Sequence, residues 1–361
     1  MFRFLDVADE LDVTHAEVML KPRATVRRIT LRQESSAALA LDTLPVELDL
    51  GTRKVPLGLA TEGERPEEIE VAARVRLFRF GVVAIVLELP IPPGSTLADL
   101  IPIAAATWEA THFDDVARSI VAELAAPLAQ LAGEPLTDSP VVERYGVVFA
   151  REITGDPMAT PEPLARLLLG EADPRLLAAD QLDAAIAHRF RYFADDLAIV
   201  HATSAFVVEP TGDRDVVLAL ELACSQVLEL RVYDALIDRE LDRLYDELAR
   251  ASGHGWWLFG RPNDALSRRA QRHMVELSEL ADRAENAVKV ASDLFLARVY
   301  LAALERQHSP VWRESVTGKL RLFSRVYDVL KEEAHAQRSL AVEVTIVLLI
   351  VFEIVMAFLE R

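Results

Sequence analysis

Residues 71–89 read VAARVRLFRFGVVAIVLEL, and the pair of strands they predict sets the class of the N-terminal half. Arg74 and Arg76 alternate with Val75 and Leu77, the period of two expected when a strand shows different faces to different surroundings. β-branched residues crowd the stretch after Gly81, as they do in buried strands. Gly81 itself marks a turn or bulge between paired strands. The segment at 90–94, PIPPG, ends the run.

Working outward, residues 45–61 read as two short strands around Gly51, and residues 26–31 as a further strand. Residues 62–70 are polar and acidic and predict a loop. Ser95 caps a helix starting at Thr96. Residues 113–131 carry a second helical pattern with Val116, Ile120, Val121, Leu124 and Leu128 on one side. Residues 141–151 return to strand. TGDPMATPEP at 154–163 is a loop with three prolines. Helices at 163–169 and 178–186 follow, then one or two strands over 190–208. Helices do not follow each strand regularly, so the fold class is α+β and not a doubly wound sheet.

Beyond residue 212 the pattern changes. No Gly or Pro occurs from 213 to 250, and apolar residues step by three and four: Val216, Leu220, Ala223, Val227, Leu230, Tyr233, Ile237, Leu241, Leu244, Leu248. That is the seam of a packed helix roughly 55 Å long. SGHGWWLFGRP at 252–262 breaks it. A second long helix follows to about residue 306, and Ser309-Pro310 breaks the chain again before a third. The short breaks predict antiparallel helices over 213–337. The organisation expected is a mixed domain over 1–210, a long-helix bundle over 211–338 and a hydrophobic helix over 339–361.

That last stretch, SLAVEVTIVLLIVFEIVMAFLER, is about 20 residues of nearly unbroken apolar sequence, the length of a bilayer-spanning helix. The expectation is a C-terminal anchor in the cytoplasmic membrane, with the bulk of the chain in the cytoplasm. Glu343 reaches the headgroups. Glu353 costs about 2.5–3.5 kcal/mol near mid-bilayer unless it faces a partner. The alternative is a soluble homo-oligomer in which 340–359 form a shared core.

Net charge is −18, which disfavours a broad nucleic-acid surface, since phosphate binding needs clustered Lys and Arg. There are 14 Gly in 361 residues, about half the usual ~7%, which leaves little material for phosphate-cradling loops. One cysteine, Cys224, excludes an internal disulfide. The eight His are scattered, with none at i, i+4. No phosphate loop, dinucleotide fingerprint or zinc-protease motif is present, so no cofactor, metal or catalytic residue is expected. An unrecognised enzyme site in the N-terminal domain stays as a further alternative. His188, His201, Asp195 and Asp196 can form a site or be ordinary strand-end and turn residues. Arg74, Arg76 and Arg79 can bind an acidic ligand or pair with nearby Glu. Trp256, Trp257 and Phe259 can touch lipid or a partner, or plug the helical hairpin. Glu285 and Lys289 read as an i, i+4 pair.

The tail spacing Glu343, Ile346, Leu349-Ile350, Glu353 resembles the family named for a requirement in meiotic nuclear division. Upstream, Asp293-Leu294, Val299-Tyr300, Arg306, Trp312, Val316, Lys319-Leu320, Tyr327 and Arg338 are similar to its spaced pattern, as is Phe78-Arg79-Phe80-Gly81-Val82-Val83. The resemblance implies a membrane-anchored, oligomeric protein without established catalysis. The reading is a scaffold that assembles with copies of itself and docks an unknown protein partner through its long helices and tail, at the positions Glu343, Ile346, Leu349, Ile350 and Glu353.

Overall fold

A computed structural model describes residues 1–22, 24–29, 44–57, 68–133, 139–173, 175, 177–251 and 294–326, together with 343, 346, 347, 349, 350 and 356. The fold class is α+β. The strands are β1 (Phe2–Asp6), β2 (Thr25–Arg28), β3 (Val46–Pro56), β4 (Glu68–Leu77), β5 (Val82–Glu88), β6 (Val142–Ala150), β7 (Arg189–Phe190), β8 (Leu197–Val200) and β9 (Ser204–Val208). The helices are α1 (Val13–Leu20), α2 (Leu97–Thr107), α3 (His112–Glu123), α4 (Ala125–Ala132), α5 (Pro161–Leu169), α6 (Ala179–Ala185), α7 (Asp215–Ala251) and α8 (Leu294–Arg306), with a further helical stretch, α9, at 309–326. By internal packing the chain divides into Met1–Val232 with Glu285–Pro310, and Tyr233–Ala284 with Val311–Arg361.

The first unit is built on one sheet in the order β2-β3-β4-β5-β1-β6-β9-β8-β7. Neighbours are antiparallel except β6 and β9, which pair in parallel from Gly146↔Ser204 to Ala150↔Val208. The hairpin predicted from 71–89 is β4–β5, closed at Gly81 with φ 86°. A Cβ at Gly81 would sit 1.5 Å from the Ala8 carbonyl oxygen, so close approach as well as positive φ demands glycine. Around Gly51 the chain forms one bulged strand, not two: the β3–β4 register shifts between Asp49 and Thr52, and Gly51 takes φ 73°. The α2 cap is Thr96, not Ser95. Its hydroxyl accepts from Asp99 N, while the Asp99 carboxylate accepts from Thr96 N in a capping box. The helical pattern at 113–131 is divided in two at Leu124, whose φ −100° and ψ 3° leave the helical region.

The period of two sorts side chains by face. Val71, Val75, Leu77, Val83, Ile85 and Leu87 pack with α1, α3 and α4. At the other end of the sheet, Leu197, Ile199, Phe206 and Val208 pack with α2, α5 and α6. Each such side chain, fully buried, contributes roughly 1.5–3 kcal/mol. The opposite face is covered by α7, as the pairings of Arg76 with Glu221 and of Glu143 with Arg231 show. The α8 helix returns antiparallel to the first half of α7: Tyr300 donates to Gln226 at 2.5 Å, and Gln307, further on, reaches back to Cys224 at 3.5 Å.

In the second unit, α9 follows the later part of α7 in the same direction. Ser315 donates to Asp234 at 2.6 Å, and Lys319 pairs with Asp234 at 2.8 Å and with Asp238 at 2.6 Å. Ile237, Leu241, Val316 and Phe323 are buried there.

The C-terminal anchor expected at 339–361 is corrected. A membrane span needs about 20 consecutive apolar helical residues, and among the described residues no helix is long and apolar enough to cross a membrane. The transmembrane assignment and the placement in the cytoplasmic membrane fall with it. Of the tail, Glu343, Ile346, Val347, Leu349, Ile350 and Met356 are described, each helical and exposed. Glu353 lies outside the described residues, as do Trp256, Trp257, Phe259, Glu285 and Lys289.

Candidate functional site

The arginines of the β4 alternation point to the α7 face, and most of what they meet is charged. One row of cross-strand neighbours runs Arg27, Glu47, Arg76, Ala84, Phe4, Glu143. Glu47, at 1% exposure, accepts from Arg27 Nε at 2.8 Å and from Arg76 Nε at 2.7 Å. Arg76 also donates to Glu221 of α7. Burial works against the Arg76 charge, but Glu221 and Glu47 outweigh it and hold the guanidinium above its ordinary range. Burial pushes the Glu221 carboxyl up, with Arg76 opposing, and its second oxygen is buried without a hydrogen bond.

The next row leads to an opening. Arg74 pairs with Glu88 at 2.7 Å, and Glu88 also accepts from Arg214, just before α7, at 2.5 Å. Burial raises the Glu88 carboxyl, but Arg214 and Arg74 prevail and hold it below its usual range. The Arg214 guanidinium lies 5.0 Å above the Phe149 ring. Glu88, Arg214 and Phe149 line a cavity of about 470 Å³ between the end of β5, the middle of β6, helix α2 and the first turn of α7. Its walls are apolar, among them Val86, Ile103, Trp108, Val148 and Leu167. Trp108, the C-cap of α2, lies on Gly146 so closely that a Cβ there would be 2.5 Å from the indole. A mainly apolar cavity with a few convergent polar groups is what small-molecule sites look like. Sequence reasoning missed it. The signal available was Arg214 at the entry to the long helix and Trp108 at the end of a short one, which no local pattern joins.

The other candidates are placed as follows. Arg79 pairs with Glu10 at 2.8 Å on the surface. The Asp196 carboxylate accepts from Tyr192 N at 2.8 Å and Phe193 N at 2.9 Å, so it closes a turn. Asp195 is exposed and His188 half-buried. His201, half-buried in a polar cluster, follows Val200, whose N–H donates to the His188 carbonyl at 2.9 Å; burial and the nearby Arg306 charge lower the His201 pKa to about 4. In the same cluster Tyr145 donates to the Ser204 carbonyl at 2.8 Å, and burial raises the Cys224 thiol well above its usual range, which leaves it neutral and a poor nucleophile. Among the described residues no hydrogen bond or ion pair joins the side chains of His188, His201, Asp195 and Asp196, and Asp196 is spent within its own turn. Among the described residues, no group of three or more His, Cys, Asp or Glu is placed to hold a metal ion.

A family profile described as "Uncharacterized protein MJ0711, N-terminal domain" matches residues 1–214. The chain belongs to this family. The matched span contains all nine strands found among the described residues, the β4–β5 hairpin and every wall of the cavity except Val217. The chain is also 24% identical over 170 residues to the uncharacterized protein MJ0711 of Methanocaldococcus jannaschii, an alignment covering 47% of this chain and 51% of that protein. The chain thus spans about half the length of the curated relative it matches. No solved structure matches. The resemblance to the meiotic nuclear division family is corrected by these matches: nothing in them relates the chain to that family.

Proposed function

We propose that the chain is a non-catalytic assembly protein that associates with copies of itself through its tail helix and docks a further protein on its long helices. One observation carries this reading. Ile346, Val347, Leu349, Ile350 and Met356 are exposed by 52%, 54%, 62%, 51% and 43%. Large apolar side chains exposed this close together in sequence mark an interaction surface. A second copy is the occupant, because symmetric homo-oligomers are the commonest outcome for such a face. Glu343, three residues before Ile346 and exposed, sets the register by the cost of burying it unpaired.

The test is light scattering coupled to size exclusion on the full chain. The expected result is a discrete oligomer, reduced to monomer in the double variant Leu349→Glu/Ile350→Glu with unchanged circular dichroism. A wild-type chain that stays monomeric at tens of micromolar overturns the reading.

A further inference from the structure

The cavity beneath Trp108 is independent of the tail and asks for a different occupant. Its volume, about 470 Å³, lies within the roughly 300–1,000 Å³ of small-molecule sites. The wall is set by β5, β6, α2 and α7, elements of the same unit, so the cavity is formed in a single chain. Deep in it, Val86, Leu167 and Trp108 are buried and apolar. Such a lining favours a hydrocarbon body and penalises a polar one, which would lose its water without gaining partners.

The rim has the opposite character. Of the charged side chains, Arg214 and Glu88 line it, and Arg74 pairs with Glu88 at 2.7 Å from outside the lining. Glu88 is thus answered by Arg74 as well as by Arg214, and Arg214 is the guanidinium that faces the cavity. Arg74 is mostly covered, at 20% exposure, whereas Arg214 is 47% exposed. Arg214 spends one terminal nitrogen on Glu88 and rests its flat face on Phe149, which fixes the plane of the guanidinium beside the opening. A guanidinium held in this way is suited to a carboxylate, which accepts two parallel hydrogen bonds from it.

We infer that the cavity binds an amphiphile with one carboxylate and a medium-length aliphatic chain, the carboxylate on Arg214 and the chain against Trp108 and Leu167. The Arg214 guanidinium selects the head and the cavity volume limits the length. Because Glu88 is already bonded to both arginines, the ligand's carboxylate does not displace it but takes donors that Glu88 does not use.

The probes are straight-chain carboxylates from hexanoate to tetradecanoate, titrated into the full chain by calorimetry, with decylammonium as the head-group control. Decanoate is expected to saturate one site per chain with a Kd on the order of 0.1 mM. Affinity rises about fourfold per added methylene, as burial of each CH2 requires, and levels off once the cavity is filled. Decylammonium binds at least tenfold more weakly. Arg214→Gln lowers decanoate affinity on the order of tenfold but keeps the chain-length increment, and Ala72→Phe, which fills the cavity from β4, removes binding while circular dichroism is unchanged. Equal affinity for decanoate and decylammonium overturns the inference, as does wild-type-like decanoate binding in both variants. Absence of saturable binding at millimolar decanoate overturns it too. The same titration on Leu349→Glu/Ile350→Glu separates this site from the tail: binding there is expected to be unchanged, and its loss would place the ligand on the tail instead.

Discussion

Arg76 on strand β4 donates to Glu221 on helix α7 across 145 positions of sequence, and both side chains are buried. The pair joins the sheet to the long helix in the interior of the first unit. Removing one partner leaves the other charged or unsatisfied where water cannot reach it. Arg76→Met is therefore expected to destabilise by about 3–5 kcal/mol. The double variant Arg76→Met/Glu221→Met is expected to lose less than the sum of the single changes, by at least about 1 kcal/mol. Urea unfolding of the four proteins in a double-mutant cycle checks this. Strict additivity would show that the two side chains are neighbours without coupling.

Asp6, at the end of β1, gives a pH dependence of opposite sense to ordinary acid denaturation. Burial first, and the Asp9 carboxylate second, push its pKa from 3.8 to about 7. Between those values the folded protein keeps a proton that the unfolded chain has released, so the contribution of Asp6 to stability falls as pH rises through this window. Above it, the folded state carries a buried carboxylate. Asp6→Asn is expected to be more stable than the wild type at pH 8, by on the order of 2 kcal/mol, with the difference shrinking towards pH 4. Denaturant titrations at the two pH values measure it, and a constant difference would mean that Asp6 ionises normally.

Gly146 holds the Trp108 indole by having no side chain. A Cβ there would lie 2.5 Å from ring atoms, well inside contact distance, so Gly146→Ala must displace the ring or the strand. The expected cost is about 1–3 kcal/mol, as for overpacking elsewhere. It should come with a changed near-ultraviolet circular dichroism spectrum and an unchanged far-ultraviolet one. A variant with wild-type stability and spectrum would show that Trp108 does not rest on β6.

Local periodicity carried much of the architecture. The alternation through Arg74, Val75, Arg76 and Leu77 and the glycine after them specify a hairpin, because side chains on a strand change face at every residue. The three-and-four spacing from Val216 to Leu241 specifies a helix for the same kind of reason. Both signals lie within a few turns of chain, so the sequence alone fixes them. Partnership is different. Nothing near Arg76 indicates that its acid is Glu221, and nothing near Arg214 indicates that it shares Glu88 with Arg74. The sheet order and the lie of α7 across it bring these charges together, and burial, which raises the cost of an unpaired charge, then makes the pairing compulsory. The cavity under Trp108 has the same origin. It is a space left between β5, β6, α2 and α7, and a space between elements has no residues of its own in the sequence to announce it.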